Sequence, residues 1–126
     1  MRFEVAAALL LAGAGTLAHA QNYPDRPIRL IVPYPPGSSS NDILGRALAT
    51  RLSTVLGQQV VVDNRPGAGS TIGADNVAKS PADGYSLLTI SNTHYVSAAI
   101  YKKLPYDSVT DFSPITQVTK IGRAHV

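Results

Sequence analysis

The 126-residue chain contains no cysteine, which excludes a disulfide framework and a thiolate nucleophile, so its stability must come from packing. It also lacks a long apolar run. The stretch at residues 5–17 falls short of the roughly 20 residues that a membrane-spanning helix needs. Charge of one sign is not concentrated anywhere: the formal net charge is +3 and basic residues are scattered between Arg26 and Lys103. This pattern argues against a nucleic-acid-binding surface.

Residues 1–20 predict an export signal. Residues 5–17 are almost wholly Ala, Leu and Gly, and Ala18-His19-Ala20 matches a small-x-small cleavage site. A membrane anchor is the alternative, but the apolar stretch is too short for one. We therefore expect cleavage after Ala20 and export of the remainder of the chain.

A strand, a polar loop and a helix follow one another three times. Short apolar runs predict strands at residues 30–32, 59–63 and 85–90. Helices are predicted at residues 42–56, from Ser70 to about Lys79, and from the 91–94 junction through Tyr101. This alternation indicates an α/β fold with a parallel sheet and right-handed crossovers. One more extended segment is predicted at residues 112–118.

Local signals mark the helix ends. Ser40 or Asn41 is expected to cap the first helix, with the Asp42 carboxylate favoured by the positive end of the helix dipole. Gly57 is expected to end that helix. Ser70 is expected to cap the second helix.

The loops after parallel strands gather at one edge of the sheet, where ligands bind. The first loop is rich in small residues and leads into a helix N-terminus, an arrangement suited to an anion. We expect residues 37–41 to supply N–H donors, with Asp42 serving the helix start and the loop shape. For this loop and for the second glycine-rich loop, residues 67–73, the alternative is tight turning without a ligand.

The second loop invites comparison with a dinucleotide fingerprint, because Gly67-x-Gly69-x-x-x-Gly73 follows a strand and opens a helix. It departs from that pattern because it follows the second strand, because the turn carries Arg65-Pro66, and because no acid follows the next strand to bind a ribose. A Walker loop is excluded because no Gly-Lys-Ser/Thr occurs. We expect no cofactor.

His94 is the one histidine outside the export signal and the C-terminal end. A catalytic triad could use His94 with a serine of the first loop, as in an exported α/β hydrolase, although no Gly-x-Ser-x-Gly elbow surrounds those serines. Alternatively, His94 caps, packs or donates a hydrogen bond. The acids are spaced singly, so no metal site is predicted.

Five blocks in order resemble the tripartite tricarboxylate transporter substrate-binding family, also called the Bug receptors. They lie at residues 27–37, 42–46, 62–69, 78–85 and 101–107. The resemblance implies a periplasmic binding protein with two α/β lobes that close like a flytrap on a small carboxylate. Of these lobes the chain holds part of the N-terminal one, at residues 21–120.

The resemblance also implies what the protein does. It implies a monomeric receptor, not an enzyme, that delivers its ligand to the permease subunits of a tripartite tricarboxylate transporter or acts as a sensor. Carried over by position, the ligand-binding residues come from the three loops of one edge: Gly37, Ser38, Ser39, Ser40, Asn41 and Asp42; Gly67, Ala68, Gly69, Ser70 and Thr71; and Ser91, Asn92, Thr93 and His94.

The chain departs from the family pattern in two ways. Gly37-Ser38 stands where the family has a double glycine, and the loop to Asp42 is one residue longer. By the same comparison we expect the family's second lobe to be missing from these 126 residues. Residues 121–126 match the translation of a common sequencing-adapter oligonucleotide, so we expect a non-native tail. A truncated chain without function is therefore a third hypothesis, beside the receptor and the hydrolase.

Overall fold

The computed structural model describes residues 22–119. Its strands are β1 (Ile28–Val32), β2 (Val60–Asn64) and β3 (Ser86–Leu88), and its helices are α1 (Ser40–Leu56), α2 (Thr71–Ala78) and α3 (Thr93–Ile100). A short 3-10 helix at Ala68–Ser70 precedes α2. The sheet order is β2-β1-β3 with both pairings parallel, which confirms the predicted α/β fold with a parallel sheet.

Apolar side chains of the central strand form the core. Leu30 lies opposite Val62 of β2 and Leu87 of β3. Because side chains alternate along a strand, the buried Ile31 lies on the other face of the sheet from Leu30. The core between α1 and the sheet consists of buried Ile28, Leu30, Ala49 and Val60, with Leu48, Leu52 and Leu56 of α1 packed around them.

The observed cap of the first helix lies one residue before the predicted position. The N-cap is Ser39, whose hydroxyl accepts a hydrogen bond from the Asp42 N–H at 3.3 Å, so the expectation of Ser40 or Asn41 was wrong. Both of these residues are helical, and a cap needs an extended backbone such as that of Ser39. Gly57 ends the helix in a left-handed conformation, as predicted.

Ser70 precedes α2, but its side chain makes no capping hydrogen bond, contrary to expectation. Its backbone is left-handed, at φ 75°, and not in the extended conformation in which a cap side chain reaches back to the first turn. The position of the helix start was thus correct and the capping role was wrong.

The third strand is shorter than predicted, and residues 112–118 form no strand. The third strand ends at Leu88, and its last contact with the sheet is the Thr89 N–H donating to the Ile31 carbonyl at 3.0 Å. In residues 112–118, Pro114 removes one ladder donor, and no backbone hydrogen bond joins this segment to the sheet.

The predicted export signal and non-native tail lie outside the described residues. Among the helices at residues 22–119, none combines the length and apolar character needed to cross a membrane.

Candidate ligand-binding site

The three loops that follow the strands meet at one edge of the sheet. The first loop runs from the end of β1 to α1, at residues 33–39, and the third from the end of β3 to α3, at residues 89–92. The side-chain oxygens of Tyr34, in the first loop, and Ser91, in the third, lie 2.6 Å apart in a hydrogen bond. The Tyr34 carbonyl accepts a hydrogen bond of 2.9 Å from the amide of Asn64, at the end of β2. One residue of the first loop is therefore bonded to the ends of both neighbouring segments.

The first loop uses part of its donors internally. The Gly37 N–H donates to Asp42 Oδ2 at 2.7 Å, and the N–H and hydroxyl of Ser38 both donate to the Pro35 carbonyl. Within residues 22–119, the N–H groups of Ser39, Ser40 and Asn41 have no protein acceptor. The donors that remain at the helix N-terminus are therefore those of residues 39–41.

The Asp42 carboxylate is buried and directed into the protein. Asn64 donates to its Oδ1 at 2.7 Å, while Gly37 and Arg46 donate to its Oδ2 at 2.7 and 3.0 Å. These three hydrogen bonds, that of Asn64 first, lower the pKa of Asp42 to about 2. Asp42 is therefore ionised and fully engaged by protein donors, which agrees with the expected role in the helix start and loop shape.

Asn64 is a residue of this edge that sequence reasoning missed. Its amide nitrogen bonds both Asp42 and the Tyr34 carbonyl, and its amide oxygen accepts from Arg46 Nη2 at 2.9 Å. The available signal was its position: a polar residue at the carboxyl end of a predicted strand lies at the edge where the loops gather.

The second loop has an unusual backbone. Residues 67–70 have consecutive positive φ angles, at 125°, 45°, 61° and 75°. Glycine adopts such angles readily, but Ala68 and Ser70 do so only because neighbours hold them. The Ala68 carbonyl accepts from the Thr71 hydroxyl at 2.8 Å, and the Gly69 carbonyl accepts from Ser97 of α3 at 2.7 Å. The third helix therefore fixes the second loop.

The third junction consists of a loop, with Ser91 and Asn92, and the first residues of α3, Thr93 and the buried His94. The Ser91 hydroxyl bonds Thr93 Oγ1 at 3.1 Å, and Asn92 precedes α3 without a side-chain capping bond. His94 is 1% exposed. Its ring stacks on Tyr106 and meets the ring of Phe112 at nearly right angles, so His94 packs in an aromatic cluster.

The burial of His94 bears on the hydrolase hypothesis. His94 Nε2 lies 3.3 Å from the Ser108 carbonyl, and no hydrogen bond joins its ring to Ser38, Ser39 or Ser40 in the part of the chain that the structure describes. In the same part, no group of three or more acids and histidines is arranged to hold a metal ion.

Comparison with known proteins identifies the family. The model of the tripartite tricarboxylate transporter family receptor matches residues 44–125. This match extends into the six terminal residues expected to be non-native, and that expectation stays a prediction. Protein BugT of Bordetella pertussis is 46% identical over 109 residues, which are 85% of this chain and 33% of BugT.

Solved structures are similar in fold as well. The periplasmic binding protein BugD is 40% identical with a TM-score of 0.70, covering 74% of this chain and 31% of BugD. MatC from Rhodopseudomonas palustris with bound malate is 32% identical with a TM-score of 0.67, covering 73% of this chain and 31% of MatC.

The chain spans about a third of the length of the curated relatives it matches. Its sheet and flanking helices correspond to part of a periplasmic binding protein, as the five sequence blocks predicted. The chain belongs to the tripartite tricarboxylate transporter receptor family, a family of solute-binding receptors and not of enzymes.

Proposed function

We propose that this chain is part of the N-terminal lobe of an exported, periplasmic solute-binding protein that captures a small carboxylate. The observation that carries the proposal is the donor set at the start of α1. The N–H groups of residues 39–41 have no protein acceptor in the described part of the chain, and they lie beside serine hydroxyls at the edge where three loops meet.

The chemistry of this edge suits a carboxylate. Converging N–H groups and the positive end of a helix dipole stabilise an anion without a lysine or arginine side chain. Hydroxyls of Ser39, Ser40, Ser91 and Thr93 add direct or water-bridged bonds. The relative MatC was solved with bound malate, which supports a dicarboxylate of similar size as the ligand here.

The second loop, residues 67–71, completes the same edge. Its carbonyls at Ala68 and Gly69 are engaged by Thr71 and Ser97, so the backbone there has a fixed shape. A rigid loop loses little conformational entropy when a ligand binds. We propose that this loop lines the ligand cleft without supplying its main charge-compensating donors.

A receptor of family length would hold the ligand between two lobes. The chain spans about a third of its relatives' length. We propose that the second lobe corresponds to the part of these relatives that the chain does not match. Closure of two lobes buries a ligand and strengthens each polar contact. Residues 22–119 alone should therefore bind a carboxylate weakly or not at all.

The proposal includes export and a transport partner. The apolar residues 5–17 and the Ala18-His19-Ala20 site carry the proposed signal, cleaved after Ala20. The family description supports delivery of the ligand to the permease subunits of a tripartite tricarboxylate transporter. The receptor acts as a monomer in this proposal.

The test uses a receptor of family length that carries this sequence. A panel of carboxylates, including malate, succinate, citrate and adipate, is screened by thermal shift, because a ligand that binds the folded state alone raises the melting temperature. Calorimetry then compares the native protein with a Ser38→Ala/Ser40→Ala variant, which keeps the Ser39 cap, and with the triple variant that also carries Ser39→Ala.

The expected result is weaker binding in both variants, with the larger loss in the triple variant. The matched control is Thr50→Ala/Thr54→Ala, since both hydroxyls donate to carbonyls of α1 one turn earlier, away from the edge. Unchanged affinity in the triple variant would refute the role of the first-loop hydroxyls in ligand binding. No binding by any member of the panel would refute the carboxylate class.

A further inference from the structure

The side chain of Asn64 joins three segments of the chain at the proposed ligand edge. Its amide nitrogen donates to Asp42 Oδ1 at 2.7 Å and to the Tyr34 carbonyl at 2.9 Å. Its amide oxygen accepts from Arg46 Nη2 at 2.9 Å. Both amide hydrogens and the oxygen are thus engaged, and the end of β2 is tied to the first loop and to the first turns of α1.

Asp42, which accepts a hydrogen bond from Asn64, also bonds the backbone of the first loop. Asp42 Oδ2 accepts the Gly37 N–H at 2.7 Å, so the carboxylate that Asn64 holds also fixes the start of the first loop. Hydrogen bonds to an ionised acceptor are stronger than those between neutral groups. The connection from Asn64 through Asp42 to Gly37 therefore sets the path of residues 37–41.

We infer that Asn64 is a positioning residue for carboxylate binding: through Asp42 and the Tyr34 carbonyl it holds the first loop so that the N–H groups of residues 39–41 face the ligand. This inference rests on the proposed function. Asn64 itself does not contact the ligand, because its polar atoms are occupied by protein groups.

An amide is the side chain that this position requires. Asparagine offers two donors and an acceptor, and the three atoms around it are two oxygens and one guanidinium nitrogen. Leucine of similar size would leave the Asp42 carboxylate short of one donor, which is costly for a buried charge. Aspartate would place a second carboxylate against Asp42, and like charges at that distance raise the pKa of the pair.

The charged neighbours of this site are few. Arg46 bonds both Asp42 and Asn64, and within residues 22–119 Asp42 is the one carboxylate to which the Asn64 side chain is hydrogen-bonded. The adjacent Asp63 is engaged separately by Arg29 and Arg65. Successive side chains of β2 lie on opposite faces of the sheet, which makes Asp63→Asn a matched control on the same strand.

The experiment uses the receptor of family length in the native, Asn64→Asp, Asn64→Leu and Asp63→Asn forms. Two readouts are measured: the amide proton resonance of Gly37 by NMR, and the affinity for L-malate by calorimetry at about pH 7.5 and about pH 5. Asn64→Asp is expected to bind malate at least about tenfold more weakly at the higher pH. Its affinity relative to the native protein at the same pH should recover at the lower pH, because the carboxyl group that this substitution introduces can donate to Asp42 once it is protonated. Asn64→Leu should bind malate more weakly than the native protein at both pH values.

The chemical shift of the Gly37 amide proton reports the conformation of the first loop independently of ligand binding. It should move in both Asn64 variants, follow pH in Asn64→Asp, and stay in place in Asp63→Asn. An unmoved Gly37 resonance in the Asn64 variants, or malate affinity equal to that of the native protein, would overturn the inference. If the native protein binds no carboxylate while the Gly37 resonance still moves, the loop-holding role stands and the proposed function fails.

Discussion

The side-chain oxygens of Tyr34 and Ser91 lie 2.6 Å apart although the two residues are 57 positions apart in the chain. Tyr34 follows the central strand and Ser91 follows β3, so this hydrogen bond fixes the first loop against the third. With the Asn64 bond to the Tyr34 carbonyl, the ends of all three described strands are joined through one tyrosine. The edge is therefore a connected polar structure and not three independent loops.

Replacing Tyr34 by phenylalanine should loosen this edge while leaving the core intact. The lost hydrogen bond is worth about 1 kcal/mol of unfolding free energy, measurable by urea denaturation. In a receptor of family length, the carboxylate binding that we propose for the first loop should then be several-fold weaker. Tyr95→Phe is the control, since the Tyr95 side chain is 55% exposed. Equal effects of the two substitutions would contradict the bridging role.

Asp42 should make the protein sensitive to acid. Its pKa, about 2 in the folded protein, lies below the ordinary value of 3.8, so ionisation of Asp42 stabilises the fold. This stabilisation is complete above the unfolded pKa and is lost as the pH falls from about 4 through about 2. The free energy of unfolding, followed by urea denaturation across this range, should fall less steeply in Asp42→Asn than in the native chain.

The control for that experiment is Asp83→Asn. It removes an exposed ion pair with Arg26, and such pairs contribute little to stability. The pKa values of Asp63 and Asp107 are also lowered, by the Arg29 hydrogen bond and by backbone N–H groups respectively, so some slope should remain in Asp42→Asn. If the free energy of unfolding falls with pH as steeply in Asp42→Asn as in the native chain, ionisation of the Asp42 carboxylate does not stabilise the fold.

Gly73 of α2 lies close to Pro33, which follows β1, and to the backbone of Arg65. A Cβ atom there would lie 2.8 Å from Pro33 Cβ and 3.0 Å from the Arg65 carbonyl oxygen. Gly73→Ala should therefore destabilise the protein by about 1–3 kcal/mol, although alanine favours a helix by about 1 kcal/mol over glycine. Gly45→Ala meets a single side-chain methyl, of Val32 at 2.8 Å, and should cost less. A Gly73→Ala protein as stable as the native one would argue against this packing.

His94 should matter for stability and not for turnover. Truncation to alanine removes a ring that is buried among Tyr106, Tyr95 and Phe112, and we expect a loss of roughly 2–4 kcal/mol in the free energy of unfolding. Val96→Ala on the same helix is the control, at 52% exposure, and should change stability by about 0.5 kcal/mol or less. Ester hydrolysis that disappears in His94→Ala without a loss of stability would instead favour the hydrolase hypothesis.

The order of the elements was predictable because its signals are local. The apolar run at β1, the helical spacing before Gly57 and the glycine-rich loop at residues 67–69 act over a few neighbours along the chain. They therefore predicted the strands, the helices and the parallel sheet. The same local view misplaced the cap at Ser40 or Asn41, since one extended residue at Ser39 decides where the helix begins.

The polar connections of the edge were not predictable from spacing. The sequence marked Gly37 and Ser38 as open donors, yet their N–H groups bond Asp42 and Pro35. It gave no role to Asn64, which meets Asp42 from 22 positions away. Such bonds depend on where folding brings distant side chains. The donors and acceptors of a residue can be read from its type, but its partners cannot.

The sequence by itself determined the family, the α/β alternation and the gathering of three loops at one edge of the sheet, since these follow from ordered motifs and from the way parallel strands place their loops. Only the tertiary structure decided which backbone donors stay free, that Asp42 faces inward, and that His94 lies in an aromatic cluster. The physical reason is that burial and hydrogen-bond partners arise from packing between segments far apart in the chain, whereas helices and strands arise from neighbours.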